Sequence, residues 1–143
     1  MKVDCQAAVR EALGKAGLGP SDLLVVGASG GCDSMTLLHL LHVLGQPMMV
    51  AHANYGKRGA ESDADEALVR DWCEVRRVSF ASRTFHVPPQ KGQGFQGEAR
   101  KARHTWFSEL MAEHNAAAVA TGHHGDDQAE TFMLHVIRGL DPT

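Results

Sequence analysis

The sequence is poor in the features that usually mark a special environment. Its 3 cysteines, Cys5, Cys32 and Cys73, are odd in number and far apart. That excludes a disulfide framework and any CxxC metal or redox pair, so reduced thiols are expected. Long apolar runs are missing too. The longest, LLVVGA, falls far short of the ~20 residues a bilayer-spanning helix needs. The opening MKVDCQAAVREALG lacks the uninterrupted apolar core of a secretory signal. No membrane association is expected, and a cytoplasmic location is. A surplus of positive charge is also absent. The formal net charge of −3 gives no general attraction to nucleic acid, which leaves only GKR at 56–58 and EARKAR at 98–103 as local basic stretches.

What the chain does have is enough apolar content for one core. At 143 residues and 43% hydrophobic it fits a single domain, 1–143, without internal repeat or low-complexity tract. Strand-like and helix-like stretches alternate, which predicts an α/β fold: a doubly wound parallel sheet with helices on both faces. A helix over about 4–16 should stop near Gly17 and Gly19-Pro20, and DLLVVGA should form a first buried strand. A leucine-rich helix carrying Leu37, Leu38, Leu41 and Leu44 follows and ends at Gly45. PMMVAHA, VSFASRTFHV and AAAVATG read as three more strands. Between them lie an acidic-starting helix, ESDADEALVRDWCEV, a polar loop, PPQKGQG, and a helix over about 96–113. A last helix is expected from near Asp126. Trp72, Trp106, Phe107 and Met48-Met49 are candidate core, and His39 and His42 receive no role.

The informative stretch is LLVVGASGGCDSMTLLHLL. Glycines between a buried strand and a helix place backbone N–H groups at a helix N-terminus and let an anion approach, which suits phosphate. The loop is neither a Walker A loop, since no GK[ST] follows, nor a GxGxxG dinucleotide loop. Asp33 puts negative charge where phosphate would sit, and this makes sense if a divalent cation bridges the two. The plainer alternative is that Asp33 or Ser34 caps the helix and Gly30-Gly31 makes a tight turn.

The string Ser29-Gly30-Gly31-Cys32-Asp33-Ser34 resembles the SGGxDS signature of the PP-loop ATP pyrophosphatases. Further along, AHANYGKRGAESDADEALVRDWC is similar to the second-strand motif of the tRNA(Ile)-lysidine synthetases. ARKARHTWF and ATGHHGDDQAETFMLHVIRG are similar to their third and fourth motifs, so the resemblance runs from about Leu23 to Gly139. Tyr55, Lys57 and His104 stand where histidine, leucine and tyrosine are common in that family. The resemblance implies a Rossmann-like domain of the adenine nucleotide α-hydrolase type that uses ATP with Mg2+. It implies adenylation of the wobble cytidine of tRNA(Ile) and attachment of L-lysine, with release of AMP and pyrophosphate. It also implies that this chain is the catalytic portion of a longer architecture, with the family's C-terminal tRNA-binding domains absent, and it admits a homodimer. The alternatives are another PP-loop enzyme, thiolating tRNA or forming an amide, or an ATP-binding fragment inactive alone.

Carried onto this sequence, the nucleotide contacts are Ala28, Ser29, Gly30, Gly31, Cys32, Asp33 and Ser34 in the loop. Main-chain groups of His52, Ala53 and Asn54 would read adenine, side-chain packing of His52 and Asn54 being the alternative, with Gly122 and His123 as a further nucleotide contact. Asp33 and Asp127 would hold the metal. Arg100 and Arg103, one helical turn apart, match phosphate oxygens, although that spacing also fits a solvated basic face. Asp33, Arg100, Arg103, His123 and Asp127 are the expected catalytic set. His123, His124, Asp126 and Asp127 read in isolation would also suit zinc or iron. Glu130 and Thr131 would share the helical face of Asp127 and line the cleft or pack.

Overall fold

The computed structural model describes residues 5–54, 60–85, 94–124 and 132–138. Helix α1 (Cys5–Lys15) is followed by strand β1 (Leu24–Gly27), helix α2 (Cys32–Val43), strand β2 (Met48–Asn54) and helix α3 (Ala60–Arg76). Strand β3 (Ser79–Thr84), helix α4 (Gly94–His114), strand β4 (Ala118–His124) and strand β5 (Phe132–Arg138) complete the order. They form one sheet ordered β3-β2-β1-β4-β5.

The expected parallel sheet is present in the first four strands. β1 pairs in parallel with β2 (Leu24↔Met48) and with β4 (Leu24↔Ala118), and β2 pairs in parallel with β3 (Met49↔Ser79). β5 corrects the reading of the C-terminal segment. A helix was expected from near Asp126, but 132–138 run antiparallel to β4, with Ala118↔Arg138 and His124↔Phe132 in register. The short apolar run FMLHVIR is ambiguous between helix and strand by periodicity. Its Val, Ile and Phe favour the pleated choice once the edge of β4 offers unpaired main-chain groups. The expected helix start at Asp126, with Glu130 and Thr131 on it, lies outside the described residues, as do the loop segment 86–93 and the GKR stretch at 56–58.

Alternation along the strands sorts the core into two layers. Leu24, Val26, Met48 and Val50 face Val9 and Leu13 of α1, Leu37, Leu38 and Leu41 of α2, and Val69 and Cys73 of α3. Val25, Met49, Ala51 and Val119 face Trp106, Phe107 and Leu110 of α4. Among the described residues helices therefore cover both faces, α1, α2 and α3 on one and α4 on the other. Gly27 marks the tightest seat of α4. A Cβ there would stand 2.9 Å from Cζ of Phe107 and 3.1 Å from Cγ2 of Thr121, so only glycine lets the helix settle this close. Trp106, Phe107 and the Met48-Met49 pair are buried as expected, while Trp72 is half-buried with its ring edge-on to exposed His42.

Of the cysteines, Cys32 is exposed and Cys73 is fully buried, both as free thiols. Burial pushes the Cys73 thiol up from 9.0 to about 11, against a smaller opposing pull from Arg76. The folded state thus holds this proton more tightly than the unfolded chain does. The resulting stability is complete below pH 9 and is lost as pH rises towards 11. Urea unfolding of the native protein at pH 8 and 10.5 should show about 2 kcal/mol less stability at the higher pH than Cys73→Ala shows over the same interval. Equal losses in the two proteins would remove Cys73 as the cause.

Candidate functional site

The strand order places β1 at the point where the winding reverses, with β2 on one side and β4 on the other. Open α/β sheets bind ligands in the crevice outside the carboxyl ends of such strands. Here those ends carry the loop after Gly27, the His52-Ala53-Asn54 end of β2, and the Gly122-His123-His124 end of β4. Helix α4 also begins at this edge, since it returns from β3. Arg103 lies one turn before Phe107 on the sheet-facing side of the helix and is half-buried. Phe107 itself packs at Gly27, so Arg103 sits about 6 Å further towards the crevice. Arg100 is one turn beyond it on the same helix, with its side chain outside the described residues.

The loop geometry decides which residue stands at the start of α2. Gly30 has φ +94, and a Cβ there would stand 2.9 Å from Cβ of Asp65 and 3.1 Å from its carbonyl oxygen. Gly30 is therefore required both by its backbone conformation and by the close approach of α3. Gly31 is the N-cap of α2 at φ −78, with no side-chain cap hydrogen bond. This corrects the alternative in which Asp33 or Ser34 caps the helix. They are the second and third residues of α2, which begins at Cys32. Asp33 is then an acid in the first turn, and Ser34, 5% exposed, turns back into the loop. The Ser34 hydroxyl accepts from the N–H groups of Ser29 (3.2 Å) and Gly30 (3.1 Å) and donates to the carbonyl of Gly31 (3.1 Å). The Gly31 N–H donates to Oγ of Ser29 at 3.2 Å.

Two residues at the end of β2 have side-chain partners that motif reading did not supply. His52, 3% exposed, has Nδ1 2.8 Å from the carbonyl oxygen of Ala28. A carbonyl can only accept, so Nδ1 carries the proton and ties the start of the loop to β2. Asn54, 5% exposed, donates from its amide to Oδ1 of Asp63 (3.3 Å) and Oε1 of Glu66 (3.2 Å), and Glu66 also pairs with Arg70. These bonds hold the first turns of α3 beside the loop, which is what brings Asp65 against Gly30. The acidic cluster on α3 could be read from sequence, but its partner could not. Along the main chain, Ala51 accepts from Ala28 on the β1 side and Asn54 accepts from Phe85 on the β3 side. By alternation, the main-chain groups of Ala53 face the loop side. Gly122 and His123 belong to β4 by backbone, with side chains outside the described residues. Asp127, and with it the His123, His124, Asp126 and Asp127 grouping, also lies outside them.

A family model described as a PP-loop domain matches residues 1–143. The chain belongs to the PP-loop domain family. It is 38% identical over 122 residues to a tRNA(Ile)-lysidine synthase of Bacillus subtilis, covering 81% of this chain and 26% of that protein. A tRNA(Ile)-lysidine synthase of Chlorobaculum tepidum is 40% identical over 125 residues, 82% of this chain and 38% of its own. One of Bacteroides thetaiotaomicron is 37% identical over 127 residues, 87% of this chain and 30% of its own. The PP-loop chain therefore spans only about a quarter to two fifths of the length of these relatives.

Proposed function

We propose that this PP-loop domain binds ATP in the crevice and carries out the adenylation and ligation chemistry of a tRNA(Ile)-lysidine synthase. The observation that carries the reading is the glycine loop at the sheet's switch point, with Gly31 as an uncapped helix start and Asp33 in the first turn behind it. Triphosphate lies along the loop and the start of α2, where oriented N–H groups meet its charge. Adenine stacks towards the end of β2, against the main chain of Ala53. A base oxygen of the wobble cytidine attacks the α-phosphorus, the bond to the bridging oxygen breaks, and pyrophosphate leaves. An amine of L-lysine then displaces AMP from the adenylated base and loses a proton. Arg103, with Arg100 a turn away, offsets charge developing on the phosphates.

The donor set at the loop fits a magnesium ion. Asp33 offers one hard carboxylate beside the phosphate position, and magnesium characteristically takes one or two carboxylates together with phosphate oxygens and water. When bound there with Asp127 as a second ligand, it would neutralise phosphate charge. The decisive experiment is mass spectrometry of the wobble nucleoside after the full-length protein is incubated with tRNA(Ile), ATP, magnesium and lysine. An unchanged cytidine alongside undiminished pyrophosphate release would point instead to another PP-loop ligase. Base choice is a separate expectation. Calorimetry should show ATP bound about ten-fold or more tighter than GTP, because a main-chain donor and acceptor at Ala53 cannot satisfy both purines. Equal affinities would remove the end of β2 from base recognition.

A further inference from the structure

The edge of the sheet opposite the crevice carries an open cavity of about 400 Å³. It lies where β1, β2 and β3 begin and where α2 and α3 end, with His42, Gln46, Pro47, Arg76, Arg77 and Ser79 in its wall. The full length of β2, about 20 Å at the rise of an extended strand, separates it from the crevice. Its charge is one-sided. Two arginines line it and no carboxylate does, and the carboxylate of nearby Asp22 accepts from the N–H of Gly19 at 2.7 Å. Gln46, 8% exposed, makes the wall firm by donating to the carbonyls of Gly19 (3.1 Å) and Asp22 (2.6 Å). Arg76 stands 4.5 Å over the ring of Trp72 and gives one N–H to that residue's carbonyl at 3.2 Å, which leaves the rest of its fork to a ligand. Arg77 makes no ion pair with a described residue, whereas Lys15, Arg70 and Arg83 each face a glutamate.

The backbone singles out Arg77 independently. Each of the four helices ends on the same closing bond, from an N–H to the carbonyl five residues back: Leu18 to Leu13, Gln46 to Leu41, Val78 to Cys73 and Ala116 to Met111. The residue before each donor is left-handed, and these are Gly17 (φ 76), Gly45 (φ 77), Arg77 (φ 58) and Asn115 (φ 54). Glycine and asparagine take that conformation readily, and arginine does not. A long side chain held there against its backbone preference points to a use for the side chain. Balancing the negative end of α3 is not that use, because Arg76 in the last turn already supplies a cation.

We propose that this cavity is an anion site of its own, which takes the phosphate group of a small molecule between Arg76 and Arg77, with His42 and Ser79 as further donors. Guanidinium forks match phosphate oxygens, and two of them suit the roughly two negative charges of a phosphate monoester better than the single charge of a carboxylate. The helix-end carbonyls of Leu41, His42, Cys73 and Glu74, which would repel an anion, are taken up by the closing turns. The volume is on the scale of small-ligand sites, about 300–1,000 Å³. An RNA backbone fits less well, since the chain's net charge of −3 draws no RNA to this edge.

NMR titration of the full-length protein with inorganic phosphate tests this, read at the amides of Gly45 and Ser79 and at the Nε–H signals of Arg76 and Arg77, with sodium chloride at matched ionic strength as control. The native protein should show saturable shifts at these signals with a dissociation constant on the order of 1 mM or tighter. The amides of Gly30 and Asn54 report phosphate in the crevice separately. Arg77→Gly and Arg77→Asn, which install the residues the other helices use at this position, should weaken phosphate binding at the cavity ten-fold or more. Both should unfold in urea at or above the native midpoint, because the left-handed strain is relieved. Native signals that stay unmoved, or that move equally with chloride, would overturn the proposal. So would undiminished binding in the two variants, or a lowered urea midpoint in both, which would make Arg77 a contact of the fold. Displacement of the bound phosphate by tRNA, lost in Arg77→Asn, would overturn the small-molecule assignment and give the site to the RNA backbone.

Discussion

Replacing Asp33 by alanine should lower pyrophosphate release from ATP by about 100-fold or more while leaving the fold nearly as stable as before. The two effects separate because Asp33 is not the cap of α2. Gly31 holds that place, and Asp33 is the second residue of the helix. An acid in the first turn contributes only ~0.3–1 kcal/mol through the helix dipole, a shift of a few degrees in melting temperature for a domain of this size. On the proposed reading its loss costs catalysis more, since a carboxylate beside the triphosphate would be unfavourable there without a cation to join them. Magnesium titration of ATP binding by the native protein and by Asp33→Ala, with a thermal melt of each, checks both halves. Full turnover combined with a lowered melting temperature would return Asp33 to a purely structural role.

The neighbouring glycines should differ in how much stability the same added methyl group costs. Gly30→Ala places a Cβ 2.9 Å from Asp65 in a backbone conformation that L side chains rarely adopt. We expect a loss of about 2 kcal/mol in stability and nucleotide binding weakened more than ten-fold, because the loop and α3 must part. Gly31→Ala meets only Oγ of Ser29 at 3.4 Å, at an ordinary φ of −78. Its stability cost should stay within about 1 kcal/mol, the scale of an N-cap change, while affinity falls because the methyl group stands where phosphate approaches. Urea midpoints and calorimetric affinities of the two variants give the comparison. If Gly31→Ala proves the more destabilising, the contact between the loop and α3 is not what fixes Gly30.

The loop, the four parallel strands and both core layers follow from local pattern. LVVG and MMVAHAN are apolar runs of strand length, and Leu37, Leu38 and Leu41 recur on one helical face. The partners of the site residues do not follow from pattern. Asp65 meets Gly30 because α3 packs beside α2, and Asn54 at the end of β2 finds Asp63 and Glu66 on α3. Those contacts depend on how elements dock, information that spacing within one element does not carry. The first carboxylates of α3 were legible as favourable to its dipole, yet two of them also take the amide of Asn54. FMLHVIR misled for a different reason. Seven residues satisfy either period, and the free edge of β4, invisible to any local window, selects the strand.

The pairing of Leu24 with Ala118 has a consequence for synthesis. β1 leaves the ribosome long before β4, and at ~5–20 residues per second the interval is on the order of 5–20 s. During that time β1 can pair with β2, while its other edge, carrying Leu24, Val25 and Val26, has no strand to receive it. The phosphate loop can take shape early, on contacts made by α2, β2 and α3. The crevice opposite it cannot exist until β4 arrives and closes that edge. A nascent chain is thus exposed to edge pairing with its neighbours for as long as it is unable to bind nucleotide.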